Sequence, residues 1–227
     1  MPPPNGQLEL GRDGAELSSQ ALDAPMLATL EQVLAGQLRD VAGVRLFGVE
    51  GLRSFLEPGG AIGSIAARQL GETARPVRAI LFDKTPSANW SLAWHQDRVI
   101  AVRERVEVEG FGPWTRKHEA LHVAPPLPVL AGMLTLRIHI DPAPLTNAPL
   151  LIAPGSHRCG RITEIDIPTV VAKCGVAACL AEAGDVWTYA TLILHASERA
   201  SVATHRRVLQ VDYAACNLPG GLEWLGV

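Results

Sequence analysis

From residue 77 to residue 214 the chain is a succession of short β-branched runs punctuated by glycine, proline, asparagine and aspartate: VRAILFDK (77–84), MLTLRIHI (133–140), PLLIAP (149–154), DVWTYATLILH (185–195) and RRVLQVDYA (206–214). Many short strands with turn signals between them build a sandwich or barrel. No strand–helix alternation, repeat or low-complexity segment interrupts them. Ahead of them, APMLATLEQVLAGQLRDV (24–41) places Met26, Leu27, Leu30, Val33, Leu34 and Leu38 on one helical face, and AIGSIAARQLG (61–71) reads as a shorter helix ending at a glycine. Residues 1–22 carry no sustained period and read as a loose lead-in. The pattern predicts a mainly β (α+β) chain, 1–227, in which N-terminal helices pack against a double-sheet jelly roll.

Of the 227 residues 48% are hydrophobic and 19% charged, with a formal net charge of −3. That is enough chain for one well-buried core and gives no electrostatic footprint for nucleic acid or an acidic membrane. No apolar run approaches the roughly 20 residues of a spanning helix. The four cysteines, Cys159, Cys174, Cys179 and Cys216, form no C-x-x-C pair, and the first residues, MPPPNGQLEL, have no signal-peptide character. These features predict a cytoplasmic protein with reduced thiols.

The candidate chemistry lies in the histidines. Two of the seven begin an H-x-D: His95-Gln96-Asp97 within WHQD, and His139-Ile140-Asp141. On a strand, residues two apart share a face, so either tripeptide can present an imidazole and a carboxylate to one metal. Two imidazoles and one carboxylate on one face of an octahedron leave three positions open, the arrangement of a mononuclear iron(II) site. His195, closing the apolar run 185–195, is a candidate for the third ligand. In MLTLRIHI, Leu134, Leu136, Ile138 and Ile140 share one face and Thr135, Arg137 and His139 the other; the polar face meets either solvent or a central pocket. Arg206 can clamp a carboxylate through two parallel N–H bonds, with Ser197 able to add a hydrogen bond, while alternation sends Arg207 to the opposite face. Residues 110–132, GFGPWTRKHEALHVAPPLPVLAG, read as a long irregular segment carrying Trp114, His118 and His122, either a lid over a site or a connector.

WHQD, PLLIAPGSH and AGDVWTY…LILHASERASVATHRR together resemble the phytanoyl-CoA dioxygenase family, iron(II)- and 2-oxoglutarate-dependent oxygenases on a double-stranded β-helix of the cupin-like jelly-roll type. The resemblance runs over roughly 77–214. It implies that His95, Asp97 and His195 are the iron ligands, that Arg206 with Ser197 binds the distal carboxylate of 2-oxoglutarate, and that Gln96 and Arg137 lie beside the co-substrate. Ile80 and Lys84 would belong to the pocket wall, and Trp114, His122 and His139 would surround the substrate. The PGSH turn (154–157) would be structural, with His157 a hydrogen-bonding residue. The chain departs from the family at Ala200, where relatives carry Asn, and at Asn147-Ala148, where they carry Asn-Gly; glycine suits a positive φ far better than alanine. The carboxylate ligand, absent from halogenating relatives, is retained. The resemblance therefore implies hydroxylation or another C–H abstraction on a small molecule, with O2 consumed and succinate and CO2 released. The alternatives are a cupin-like metal enzyme without 2-oxoglutarate, or a non-catalytic jelly-roll binding module. Substrate identity and oligomeric state are not encoded in any motif.

Overall fold

The computed structural model describes residues 8–37, 41–117, 120–202 and 204–227. In chain order they form α1 (Leu10–Asp13), β1 (Ala15–Ser18), α2 (Ala24–Leu34), β2 (Val44–Leu46), α3 (Leu52–Leu56), α4 (Gly63–Leu70), β3 (Arg75–Lys84), β4 (Leu92–His95), β5 (Ile100–Val102), β6 (Trp114–Lys117), β7 (Ala120–Val123), α5 (Leu127–Ala131), β8 (Met133–His139), β9 (Leu150–Ile152), α6 (Ile167–Cys174), β10 (Ala177–Cys179), β11 (Val186–Ala190), β12 (His195–Ser197) and β13 (Arg206–Ala214). One sheet has the order β1-β11-β8-β13-β3-β2, a second β10-β9-β12-β4, and a third β5-β7-β6. Trp187 and Tyr189 of the first sheet pack with Leu150 and Ile152 of the second in one buried cluster. Two facing antiparallel sheets closed in this way make the expected jelly roll.

Alternation along the long strands gives the six-stranded sheet two different faces. Leu81, Leu136, Ile138, Leu209 and Val211 point outward and pack under α2, α3 and α4 through Leu30, Leu34, Leu52, Leu56 and Ile65. Each such side chain stabilises by roughly 1.5–3 kcal/mol on full burial. Helix α2 starts at Asp23, whose side chain accepts from the Met26 N–H, and α4 stops at Gly71. Met26 is exposed rather than on the packed face, and Leu38 lies outside the described residues.

The opposite face of the same sheet resolves the alternative left by MLTLRIHI: Thr135, Arg137 and His139 are buried inside the roll, not in solvent. They belong to cross-strand rows fixed by register. Arg78 of β3 stands opposite Asp212 of β13, which stands opposite Thr135 of β8; Ile80, Gln210 and Arg137 form the next row, Phe82, Val208 and His139 the next, and Lys84 faces Arg206 beyond them.

The structure corrects the sequence reading at two segments. Residues 8–22 are not a loose lead-in: β1 pairs with β11 at the sheet edge, Ala15 to Tyr189, and Leu8 and Leu22 are buried; residues 1–7 lie outside the described set. Nor is 110–132 an irregular segment. β6 pairs with β7, β7 pairs with β5, and α5 follows. The flanking Gly and Pro residues obscure two strands of only four residues each.

Candidate metal centre

His95 is the last residue of β4 and His195 the first of β12, and the two stand directly opposite each other in the register. Their ring centroids are 4.2 Å apart. Asp97 lies just past the end of β4, not on the strand, yet ligand atoms of His95, Asp97 and His195 all fall within 4.8 Å of one another; this is the metal-competent cluster found among the described residues. Each histidine directs Nδ1 to a backbone carbonyl, His95 to Ala93 (2.8 Å) and His195 to Ile193 (3.0 Å), which leaves both Nε2 lone pairs for a metal. Ser156 of the PGSH turn accepts from the Leu194 N–H (2.9 Å) and so fixes the residue before His195. His157 packs under Gly14, with no partner for its Nδ1 among the described residues, rather than acting through that atom as a hydrogen-bonding residue.

Protonation states suit a divalent cation. Burial alone would raise the Asp97 carboxyl, but Arg78, His195 and His95 outweigh it and hold it at about 2. Burial depresses His195 to about 4 against the pull of Asp97. Asp97 is thus an anionic donor and His195 a neutral imidazole. Arg78 is the supporting residue that the sequence reading missed. Its Nη2 reaches Asp97 (3.1 Å), its Nε reaches Asp212 (2.5 Å), and Asp212 in turn accepts from Thr135 (3.0 Å). Its signal was available: in VRAILFDK, Arg78 alternates with Ile80, Phe82 and Lys84 and so faces the same interior.

A cavity of about 110 Å³ adjoins the triad and is lined by Arg137, Ser197, Arg206 and Gln210 together with Ile80, Phe82 and Trp90. Two cations, Arg137 and Arg206, line it, and Lys84 stands opposite Arg206 in the register. Burial, then Arg206 and Arg137, push Lys84 down to about 7; burial and Arg137 also lower Arg206. The Lys84 Nζ donates to Ser197 Oγ (3.1 Å) and to the Glu198 carbonyl, and Arg206 donates to the Ala148 carbonyl. Among the described residues the Nε atoms of Arg137 and Arg206 and both ring nitrogens of His139 are buried without a partner. Buried donors left open cost about 1–3 kcal/mol each, and crowded cations add to that. The set fits a small anion with carboxylate groups. Ala148 itself sits at φ 50, the left-handed backbone that the family's glycine would favour.

The remaining sequence-predicted residues divide. Ile80 lines the cavity, Lys84 backs Ser197, and His139 lies in the interior row with Phe82 and Val208. Asp141, its H-x-D companion, is bound to Arg207 (2.7 Å) on the helix side, where Arg207 also reaches Glu31. Gln96 does not face the cavity. Alternation turns it away from His95 and Asp97, and its amide is engaged by Gly160, Leu192 and Ile162. Trp114 also lies elsewhere, on the third sheet against Arg105 (5.4 Å). His122 is fully buried on β7, and His118 lies outside the described residues.

A jelly roll that presents two imidazoles and a carboxylate on one face of a metal, with an anion pocket alongside, defines the class of mononuclear non-haem iron dioxygenases. The family model for phytanoyl-CoA dioxygenase (PhyH) matches residues 53–208, and the chain belongs to that family. No protein of curated function matches it by sequence. Solved structures match its fold. AviO1 from Streptomyces viridochromogenes Tue57 superposes with a TM-score of 0.66 at 20% identity, covering 93% of this chain and 94% of that one. EctD from S. alaskensis, whose structure with bound Fe is known, gives 0.68 at 16% identity over 90% and 74%. The α-ketoglutarate-dependent carbocyclase SnoK from nogalamycin biosynthesis gives 0.65 at 18% identity over 94% and 86%. No described helix is long and apolar enough to cross a membrane.

Proposed function

We propose that this chain is an iron(II)- and 2-oxoglutarate-dependent oxygenase that hydroxylates, or otherwise oxidises by C–H abstraction, a small-molecule substrate. The observation that carries the reading is the adjacency of two complementary half-sites. His95, Asp97 and His195 offer the donor set of iron(II), and the cavity beside them is lined by Arg206 and Arg137, with Lys84 behind Ser197 and no carboxylate but Asp97 in the lining. His95, Asp97 and His195 would hold the metal; Arg206, with Ser197 and the Lys84 charge behind it, would hold the distal carboxylate of 2-oxoglutarate. Bound iron with 2-oxoglutarate and O2 supplies an oxidant strong enough to take hydrogen from an unactivated C–H bond, and releases succinate and CO2.

The chain's own work is positional. The backbone carbonyls of Ala93 and Ile193 keep both imidazoles in the metal-binding tautomer, Arg78 keeps Asp97 anionic, and Phe82, Trp90 and Leu150 wall the cavity with apolar surface. EctD, whose structure has been solved with 2-oxoglutarate and 5-hydroxyectoine, shares this fold. Asp97 would supply the carboxylate ligand that halogenating relatives lack, which favours hydroxylation chemistry.

The test is anaerobic titration of apoprotein with iron(II) and 2-oxoglutarate, following the weak visible charge-transfer band of the chelate. The band forms in the native chain and is lost in Arg206→Ala. Iron binding without the band points to a metal enzyme that does not use 2-oxoglutarate, and absence of stoichiometric iron binding refutes the proposal.

A further inference from the structure

A second cavity, about 800 Å³, runs beside β2 and shares Arg78, Ile80 and Phe82 with the metal-side cavity. That volume lies within the range of small-molecule sites, roughly 300–1,000 Å³. The cavity abuts the metal centre, because Arg78 lines both cavities and bonds Asp97 at 3.1 Å. Val44, Ala79 and Leu225 join Ile80 and Phe82 in a mainly apolar wall.

Two charged side chains stand in that wall, both guanidinium groups, and among the described residues no carboxylate lines it. The two are not equivalent. Arg78 is engaged, its Nε donating to Asp212 and its Nη2 to Asp97. Arg45 stands on the edge strand β2, opposite Ile80 in the register, and enters no hydrogen bond or ion pair among the described residues. The carboxylates whose charges reach it are Asp212 and Asp97, and Arg78 holds both. Arg45 is partly buried and lines the cavity directly, so a ligand there can reach it. A partly desolvated guanidinium without a counter-ion carries an electrostatic cost that a bound anion relieves.

We infer that the cavity beside β2 is the substrate site, that its substrate is an apolar molecule bearing one carboxylate, and that Arg45 is the residue that selects it. This deepens the oxygenase reading and rests on it. A carboxylate pairs with a planar guanidinium through two parallel N–H bonds. The apolar body then covers Ile80 and Phe82, the apolar residues common to both cavities. An alcohol or a hydrocarbon leaves the Arg45 charge unmatched, and an ammonium meets it as a like charge. A second carboxylate on the ligand finds only Arg78, which Asp97 and Asp212 already hold. One unmatched guanidinium therefore suits a monoanion, which separates this substrate from the dianion 2-oxoglutarate.

The test is equilibrium dialysis of the full chain, loaded with zinc(II) and with saturating 2-oxoglutarate so that Arg206 is occupied. The ligands are 2-naphthoate and 1-adamantanecarboxylate, each against its hydroxymethyl and aminomethyl analogues. The native chain binds at least one carboxylate at least tenfold more tightly than both its analogues. Arg45→Met removes that preference, Arg45→Lys keeps part of it, and both variants retain the iron–2-oxoglutarate band. Replacing zinc(II) by manganese(II) enhances the relaxation of the bound carboxylate's C–H protons in ligand-observed NMR, as a site beside the metal requires. An alcohol or ammonium that binds as tightly as the carboxylate overturns the inference, as does a preference that survives Arg45→Met, no carboxylate preference in the native chain, or no effect of manganese(II). The native comparison needs no variant and so stands even if Arg45→Met fails to fold. Absence of the iron–2-oxoglutarate band in the native chain refutes the oxygenase reading instead, so the two failures are distinguishable.

Discussion

Arg78→Met tests the electrostatic support of the metal centre. The guanidinium lies 3.1 Å from Asp97 and 2.5 Å from Asp212, with all three side chains largely buried. At an effective dielectric of about 20, a pair of unit charges at such separations interacts by about 4 kcal/mol. Removing one partner of a buried ion pair costs about 3–5 kcal/mol, because the charge left behind has lost both solvent and counter-ion. Met keeps the aliphatic stem and leaves two carboxylates facing each other, so the expected loss in urea-melt stability at pH 7 is about 3–5 kcal/mol. The sign with pH follows from Asp97. In the native chain its carboxyl is depressed to about 2 from the ordinary 3.8, so its stabilising contribution is complete above 3.8 and fades as pH falls towards 2. The variant lacks that contribution and gains a carboxyl that resists ionisation, so its deficit is largest at neutral pH and shrinks towards pH 4. Iron(II) affinity should fall about 10–100-fold, as for loss of a ligand's orienting partner. Arg78→Met/Asp212→Asn should regain part of the stability and little of the affinity. A loss below about 1 kcal/mol with native metal affinity would refute the reasoning, since even a single buried pair exceeds that value.

Ala148→Gly should raise stability by about 0.5–1 kcal/mol in a thermal or urea melt, because Ala148 is held at φ 50, where a Cβ is disfavoured. Lys84→Met should flatten the pH dependence of 2-oxoglutarate affinity measured by calorimetry. In the native chain the Lys84 amine loses its proton near pH 7, so affinity should decline as pH rises from about 7 towards the ordinary 10.5; a flat native profile would count against Lys84 as part of the anion pocket. His139→Ala should retain stoichiometric iron, since Asp141 is engaged by Arg207 on the other face of the sheet, and its loss of iron in metal analysis would reverse the choice between the two H-x-D tripeptides.

The candidate metal triad was legible because it is carried by local tokens, a tripeptide and a histidine closing an apolar run, and the candidate anion residue Arg206 follows that histidine by eleven positions. The support was not. Arg78 and Asp212 are 134 residues apart and meet only because β3 and β13 pair in one register, which the sequence does not state. Gln96 shows the converse: it was placed near the co-substrate by position within WHQD, but a one-residue step on an extended chain reverses the side chain's direction. Helices α3 and α6 escaped notice because they are short, five and eight residues, and α6 reads IPTVVAKC, a β-branched run whose helical outcome follows from tertiary packing of Ile167, Val170 and Val171 against Leu194.

The interior rows also explain why one strand can serve both ends of the proposed reaction. Along β13 the inward positions run Asp212, Gln210, Val208 and Arg206, and along β3 they run Arg78, Ile80, Phe82 and Lys84. At roughly 3.3 Å per residue, Asp212 and Arg206 are separated by about 20 Å of strand. Carboxylates therefore gather where a divalent cation would sit and cations gather at the other end, with the Gln210 amide, Ile80 and Phe82 between them. Were the two sets adjacent, Arg206 and Lys84 would pair with Asp97 and Asp212, and neither a metal nor an anion would have a charge to meet. The Gln210 amide, Ile80, Phe82 and Val208 separate Asp212 from Arg206 and Lys84, with Arg137 bonded to Gln210 between them, and this separation is set by strand register rather than by any loop.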